Sequence, residues 1–163
     1  MLYLVKHTRP DLANATRELS KDMDVVNYLH WRELLGVIVY ALKTQKKGIV
    51  LNPDNKSVIL NFKIFVDADF ARDQDNRRSI MGRIIYLNDA PIRWNSKAMS
   101  GMMLSSTEAE YVSMSEGLKD LKFISMCLKY LKLKVNLLML VLIDNIGAIE
   151  MLDLNLRLLQ LID

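Results

Sequence analysis

Three short acidic stretches follow one another along the chain: Phe65-Val66-Asp67-Ala68-Asp69, Ser105-Ser106-Thr107-Glu108-Ala109-Glu110-Tyr111 and Ile143-Asp144-Asn145. The first and third close apolar runs, and the second opens a long helical pattern. Carboxylates at strand ends and at a neighbouring helix start can meet in space, where they repel one another and bind protons more tightly. Divalent cations relieve that repulsion, and hard oxygen donors suit Mg2+ or Mn2+. Two such ions about 4 Å apart activate a water and stabilise the leaving oxygen of a phosphodiester. Asp67, Glu110 and Asp144 are the candidate set. The same residues also have a reading without metal. Asp and Asn favour turns after strands, and acidic side chains suit the first turn of a helix.

The elements that must position this set can be read from periodicity. Residues 1–52 read as helical, with Pro10 at a first helical position and Tyr28, Trp31, Leu35, Ile38 and Leu42 at helical spacing. Asn52-Pro53-Asp54-Asn55 is a turn and the expected boundary between a helical segment (1–52) and a second domain (53–163). Beyond it the period changes to two: Val58, Leu60, Phe62, Ile64 and Val66 alternate with Ile59, Asn61, Lys63 and Phe65. Residues 70–79 are polar and read as a loop. Ile80 to Leu87 is a second strand, and Ile92 to Asn95 begins a third, giving an antiparallel meander.

Ser105 and Glu108 fit a capping box at the head of a helix that runs to about Leu131. Ala109, Val112, Leu118, Leu121, Ile124, Leu128 and Leu131 are its expected inner side. Leu137 to Ile143 is a continuous apolar run, expected to be a strand buried on both faces and parallel to an earlier one. The expected fold class is therefore α/β, with a mixed sheet of three antiparallel strands, a crossover helix and a parallel fourth strand.

Composition bounds the rest. About half of the 163 residues are apolar and 25% are charged, which suits a folded domain. A net charge of +3 tolerates nucleic acid without demanding it. The lone Cys127 excludes an internal disulfide framework and reads as a small buried hydrophobe. The N-terminus meets Lys6, His7 and Arg9 too early for a secretory signal. The apolar run from Val135 to Ile143 falls short of the ~20 residues of a membrane helix. The expectation is an intracellular protein, cytoplasmic or nuclear, neither secreted nor membrane-bound.

The wording of the motifs adds a resemblance. Thr8-Arg9-Pro10-Asp11-Leu12, Leu19-Ser20-Lys21, His30-Trp31, Asp67-Ala68-Asp69-Phe70-Ala71, Arg77-Arg78-Ser79 and Gly82 to Leu87 come first. Ala90 to Lys97, Leu104 to Val112, and Asp144-Asn145 with Ala148-Ile149 follow in the same order. Together they resemble the Pol polyprotein of copia-type LTR retrotransposons, where reverse transcriptase gives way to ribonuclease H. The resemblance spans nearly the whole chain, and the Ser105–Tyr111 run is its most specific part. It implies a ribonuclease H-like domain preceded by a helical thumb or connection remnant of the reverse transcriptase. Asp67, Glu110 and Asp144 would be its catalytic, Mg2+- or Mn2+-binding carboxylates, with Asp69 accessory. Ser106 and Asn145 would contact the nucleic-acid backbone. The implied substrate is an RNA–DNA hybrid, and the rest of a Pol polyprotein is an implied partner.

The chain also departs from that pattern. The family continues with a further strand, a helix and a fourth carboxylate, whereas here a leucine-rich tail ends at Asp163. Leu161 stands at the family's His, Phe70 at its Trp and Arg72 at its Gly. The expectation is thus a C-terminally truncated ribonuclease H-like domain, impaired in cutting the RNA strand. Two readings stand beside it: a non-catalytic transposon remnant that binds nucleic acid or protein, and a secreted effector that reused the fold.

Overall fold

The computed structural model describes residues 1–21, 23–51, 59–73, 76–136 and 139–150. The expected boundary at Asn52–Asn55, the start of the first apolar run at Val58, the residues 137–138 and the tail from residue 151 to Asp163 lie outside the described residues.

The sheet is built from β1 (Phe62–Asp69), β2 (Ile80–Leu87), β3 (Ala90–Ala98) and β4 (Leu140–Leu142) in the order β3-β2-β1-β4. β1 and β2 pair antiparallel from Phe62↔Leu87 to Asp69↔Ile80. The β2–β3 hairpin closes on Asn88 and Asp89, both at positive φ (46° and 66°), the backbone that a tight two-residue hairpin turn requires. β4 runs parallel to β1, with Lys63↔Leu140 to Phe65↔Leu142 in register. Between β3 and β4 comes the crossover helix, α4 (Ser106–Tyr130). Three antiparallel strands, a crossover helix and a parallel fourth strand form a ribonuclease H-like mixed sheet.

Strict alternation in β1 sends Phe62, Ile64, Val66 and Ala68 inward and leaves Phe65, Asp67 and Asp69 outward. α4 packs on the inner face, where Ile64, Val66 and Ile85 meet Met114 and Leu121. Small residues let it come close. Ala109 and Ser113 are fully buried, and a Cβ on Gly117 would lie 2.6 Å from Ile64 Cδ1. Of the expected inner side of α4, Ala109, Val112, Leu121, Ile124 and Leu128 pack inward, whereas Leu118 and Leu131 are exposed, and Glu110, Ser113, Gly117 and Ser125 add small or polar contacts. Close helix–sheet packing selects for small side chains there, which counting apolar residues passes over.

Ser105 caps α4 by accepting the Glu108 N–H at 3.1 Å, whereas the Glu108 carboxylate accepts the N–H of Leu104, one residue earlier than a capping box has it. Cys127 is exposed rather than buried. β4 is shorter and wetter than expected, with Leu140 exposed and Val141 and Leu142 half-buried. It stands at the edge, and no described strand lies beyond it to bury its other side.

The N-terminal segment comprises α1 (Leu2–His7), a 3-10 turn (Pro10–Leu12), α2 (Ala13–Lys21) and α3 (Tyr28–Lys43). It covers β3 on the face opposite α4. The Trp94 indole donates to the Val5 carbonyl at 2.6 Å, Arg17 Nε donates to Ser96 Oγ at 3.3 Å, and Lys21 pairs with Asp73 at 2.8 Å. Arg9 joins the start of this segment to the end of α3 through Asp11 and Thr44 Oγ1. No helix among the described residues is long and apolar enough to cross a membrane.

Candidate metal centre

Three elements deliver one carboxylate each. Asp67 stands on the outer face of β1, two residues before that strand ends. Glu110 lies in the second turn of α4 and is only 4% exposed. Asp144 follows β4 by two residues and is exposed. Ligand oxygens of the three lie within 4.8 Å of one another.

The backbone around Asp67 explains why they converge. Beyond Phe65, β1 has no fourth-strand partner among the described residues. α4 takes up backbone groups there instead. Glu110 Oε1 accepts the Ala68 N–H at 3.0 Å, and Ser113 Oγ donates to the Asp67 carbonyl at 3.1 Å. Helix and strand are thus pinned together at the residues that carry the acids. Downstream, Asn145 Oδ1 accepts the Ala148 N–H at 3.1 Å and so caps the helical turn at residues 146–150. Gly147 lets that turn sit against α4, since a Cβ there would lie 3.2 Å from Thr107 Oγ1.

The electrostatics are those of a crowded acid site. Burial pushes the Glu110 carboxyl above its ordinary 4.5; the Ala68 N–H opposes this, and the nearby charges of Asp144 and Asp67 add to it. Its second oxygen, Oε2, is buried with no hydrogen-bond partner among the described residues. Three hard oxygen donors with one orphaned buried oxygen fit a divalent cation of the Mg2+ or Mn2+ class.

The raised proton affinity has a sign that can be checked. A carboxyl that binds its proton more tightly in the folded chain stabilises the fold fully below 4.5 and loses that contribution as pH rises through its folded value. The metal-free chain should therefore lose stability from this group as pH rises above 4.5, and millimolar Mg2+ should restore it. Thermal melts across that range, with and without Mg2+, test this. Identical profiles in both conditions would sink the metal assignment.

The other sequence candidates lie around this centre rather than in it. Asp69, 56% exposed, pairs with Arg72 at 3.5 Å. Ser106 is the exposed first residue of α4. Asn145 is engaged as a cap. Sequence reasoning passed over Ser113 and Gly117, although both share the helical face of Glu110 and Leu121 at spacings of three or four. Asp67 and Asp144 also border a groove of about 800 Å3 on the outer face of the sheet, walled by Asn14 and Arg17 of α2 and floored by Phe65 and Trp94.

Comparison with known proteins bears on what this centre belongs to. The retrovirus-related Pol polyprotein from transposon RE2 of Arabidopsis thaliana is 37% identical over 147 residues, which is 90% of this chain and 10% of that protein. The corresponding polyprotein from transposon TNT 1-94 of Nicotiana tabacum is 32% identical over 82% of this chain and 10% of its own length. The chain belongs to the Pol polyproteins of copia-type retrotransposons. It spans about a tenth of the length of these Pol relatives. A shorter relative, secreted RxLR effector protein 161 of Plasmopara viticola, is 35% identical over 74% of this chain and 82% of that protein. No protein-family model and no solved structure matches the chain. In this copia-type Pol segment the three carboxylates stand on and beside one ribonuclease H-like sheet, Asp67 on β1, Glu110 on α4 and Asp144 just after β4.

Proposed function

We propose that this copia-type Pol segment is a ribonuclease H-type domain that cuts the RNA strand of RNA–DNA hybrids by metal-assisted phosphodiester hydrolysis. The observation that carries the reading is the convergence of Asp67, Glu110 and Asp144 within 4.8 Å on a ribonuclease H-like sheet. Mg2+ or Mn2+ bound there supplies charge neutralisation at the phosphate and a more acidic water. The chain supplies the geometry. Asp67 and Asp144 present exposed oxygens toward the groove, where a strand can enter. Glu110 holds a fixed oxygen from the buried side, its carboxylate oriented by the Ala68 N–H. Ser113 keeps β1 and α4 at one distance, so the acids need little reorganisation. A centre of three carboxylates among the described residues offers the metals modest negative charge, and low turnover is expected. The reading places the chain inside the cell, with an RNA–DNA hybrid and the rest of a Pol polyprotein as partners.

A labelled hybrid incubated with the chain and Mg2+ or Mn2+, beside an Asp67→Asn variant, tests this. RNA-strand cleavage by the wild type, lowered at least about 100-fold in the variant, is the expected result. No cleavage from a demonstrably folded chain would leave the second reading, a non-catalytic interaction module. That reading is favoured by the effector relative of similar span, and by α3, which buries no residue and exposes Tyr28, Trp31 and Leu42.

A further inference from the structure

A basic cluster follows the strand that carries Asp67, on a loop whose described residues include the buried Asp73 and Ser79. The segment from Phe70 to Ser79 joins β1 to β2 and carries Arg72, Arg77 and Arg78, all exposed. Arg77 and Arg78 have no side-chain partner among the described residues, and Arg72 shares its guanidinium with Asp69 at 3.5 Å. The loop adjoins the centre through its register: Ile80, two residues after Arg78, lies directly across from Asp69, and Arg72 borders the same groove as Asp67 and Asp144.

Its described residues, 70–73 and 76–79, are held from within. Asp73 is 4% exposed, accepts from Lys21 Nζ of α2 at 2.8 Å and accepts the Asn76 N–H at 3.3 Å. Its backbone N–H donates to the Arg78 carbonyl at 3.1 Å, and its carbonyl accepts the Arg77 N–H at 2.9 Å. The fully buried Ser79 accepts the Ala71 N–H at 3.1 Å. Ala71 and Arg77 sit in the left-handed region, with φ of 50° and 56°. Non-glycine residues stay there only where their surroundings impose it, and such backbone concentrates at binding and catalytic sites. These part-buried hydrogen bonds hold the described backbone, while Arg72, Arg77 and Arg78 are exposed.

A polyanionic strand approaching three carboxylates meets repulsion, which cations within a Debye length of about 8–10 Å offset. Arginine suits that task, because its planar fork pairs with phosphate oxygens in two places at once. We infer that Arg77 and Arg78, in the described stretch 76–79, grip the phosphate backbone of the nucleic-acid strand beside the cut. The inference rests on the hybrid-cleaving reading above and adds to it the element that holds the substrate.

Binding of a labelled RNA–DNA hybrid to the full chain, measured by anisotropy without divalent metal over a range of salt, tests it. Each phosphate contact contributes roughly 0.9 to the slope of log K against log salt. Arg77→Ala/Arg78→Ala should weaken low-salt binding about tenfold or more and flatten the slope by nearly two. Lys129→Ala, in the last turn of α4 and equally a loss of surface charge, should change neither. Melting curves show whether each variant is folded, and a single Arg78→Ala, expected to flatten the slope by about one, keeps the test open if the double variant is not. An unchanged slope in either folded arginine variant, with wild-type binding intact, overturns the loop contact alone. Absence of hybrid binding by the wild type overturns the loop contact and the cleavage reading together.

Discussion

Glu110→Gln is expected to make the metal-free chain more stable while abolishing its response to Mg2+. The amide oxygen can keep the Ala68 N–H bond, so the strand–helix connection survives. What disappears is a buried charge, held at a cost by burial and by Asp144 and Asp67. Removing it should stabilise the metal-free fold by on the order of 1 kcal/mol, or about 2–4 °C in melting temperature. A cation then loses the ligand that faces it from the buried side. Metal affinity should fall by more than the ~10–100-fold typical of changes behind the ligands themselves, and hybrid cleavage with it. Melting curves with and without Mg2+, read beside the cleavage assay, decide the matter. A Glu110→Gln chain that still gains stability from Mg2+ would show that the three acids are not a metal centre.

Gly117→Val should reach the same centre from two turns further along α4. Its new Cβ would stand 2.6 Å from Ile64 Cδ1 and 3.5 Å from Val66 Cγ2, inside a core where Ile64 has no exposed surface. The helix must lift or the core must rearrange. Overpacking of this kind costs about 2–3 kcal/mol, or roughly 5–10 °C. A lifted helix also carries Glu110 away from Asp67, so Mg2+ affinity should fall about tenfold or more in the folded fraction. Leu121→Ala separates the two effects. It opens a cavity on the same face and costs about 2–5 kcal/mol without pushing α4 outward. Calorimetric Mg2+ titration well below both melting temperatures should find wild-type affinity in Leu121→Ala and reduced affinity in Gly117→Val. Equal affinities would mean that the helix–sheet distance does not set the geometry of the site.

The placement of these two residues marks how far the chain could be read on its own. Ile80–Leu87 was legible to its last residue, because two turn-forming stretches bracket an apolar run. The alternation of Phe62, Ile64 and Val66 was equally plain, since period two arises from the backbone alone. Ser105 declared the start of α4 through a local hydrogen bond to Glu108 N–H. The acidic triad was legible for a different reason: carboxylates that close strands and open a helix are conspicuous by type and position. Less was visible where burial depends on distant neighbours. β4 was expected to be covered on both faces, yet among the described strands it is an edge, with Leu140 exposed. Cys127 was expected inside and lies outside, because the inner side of α4 runs through Leu121, Ile124, Ser125 and Leu128 and leaves Cys127 off it.

Local order along the backbone was thus determined by the sequence itself: which residues form strands and helices, and which acids stand at their ends. Those features depend on neighbours a few positions away, through side-chain period, turn residues and caps. Only the tertiary structure decided that Asp67, Glu110 and Asp144 share one space, that Ser113 and Gly117 hold α4 against β1, and that Arg72 borders the same groove as Asp144. Each of these joins residues more than thirty positions apart, and proximity of that kind is created by packing.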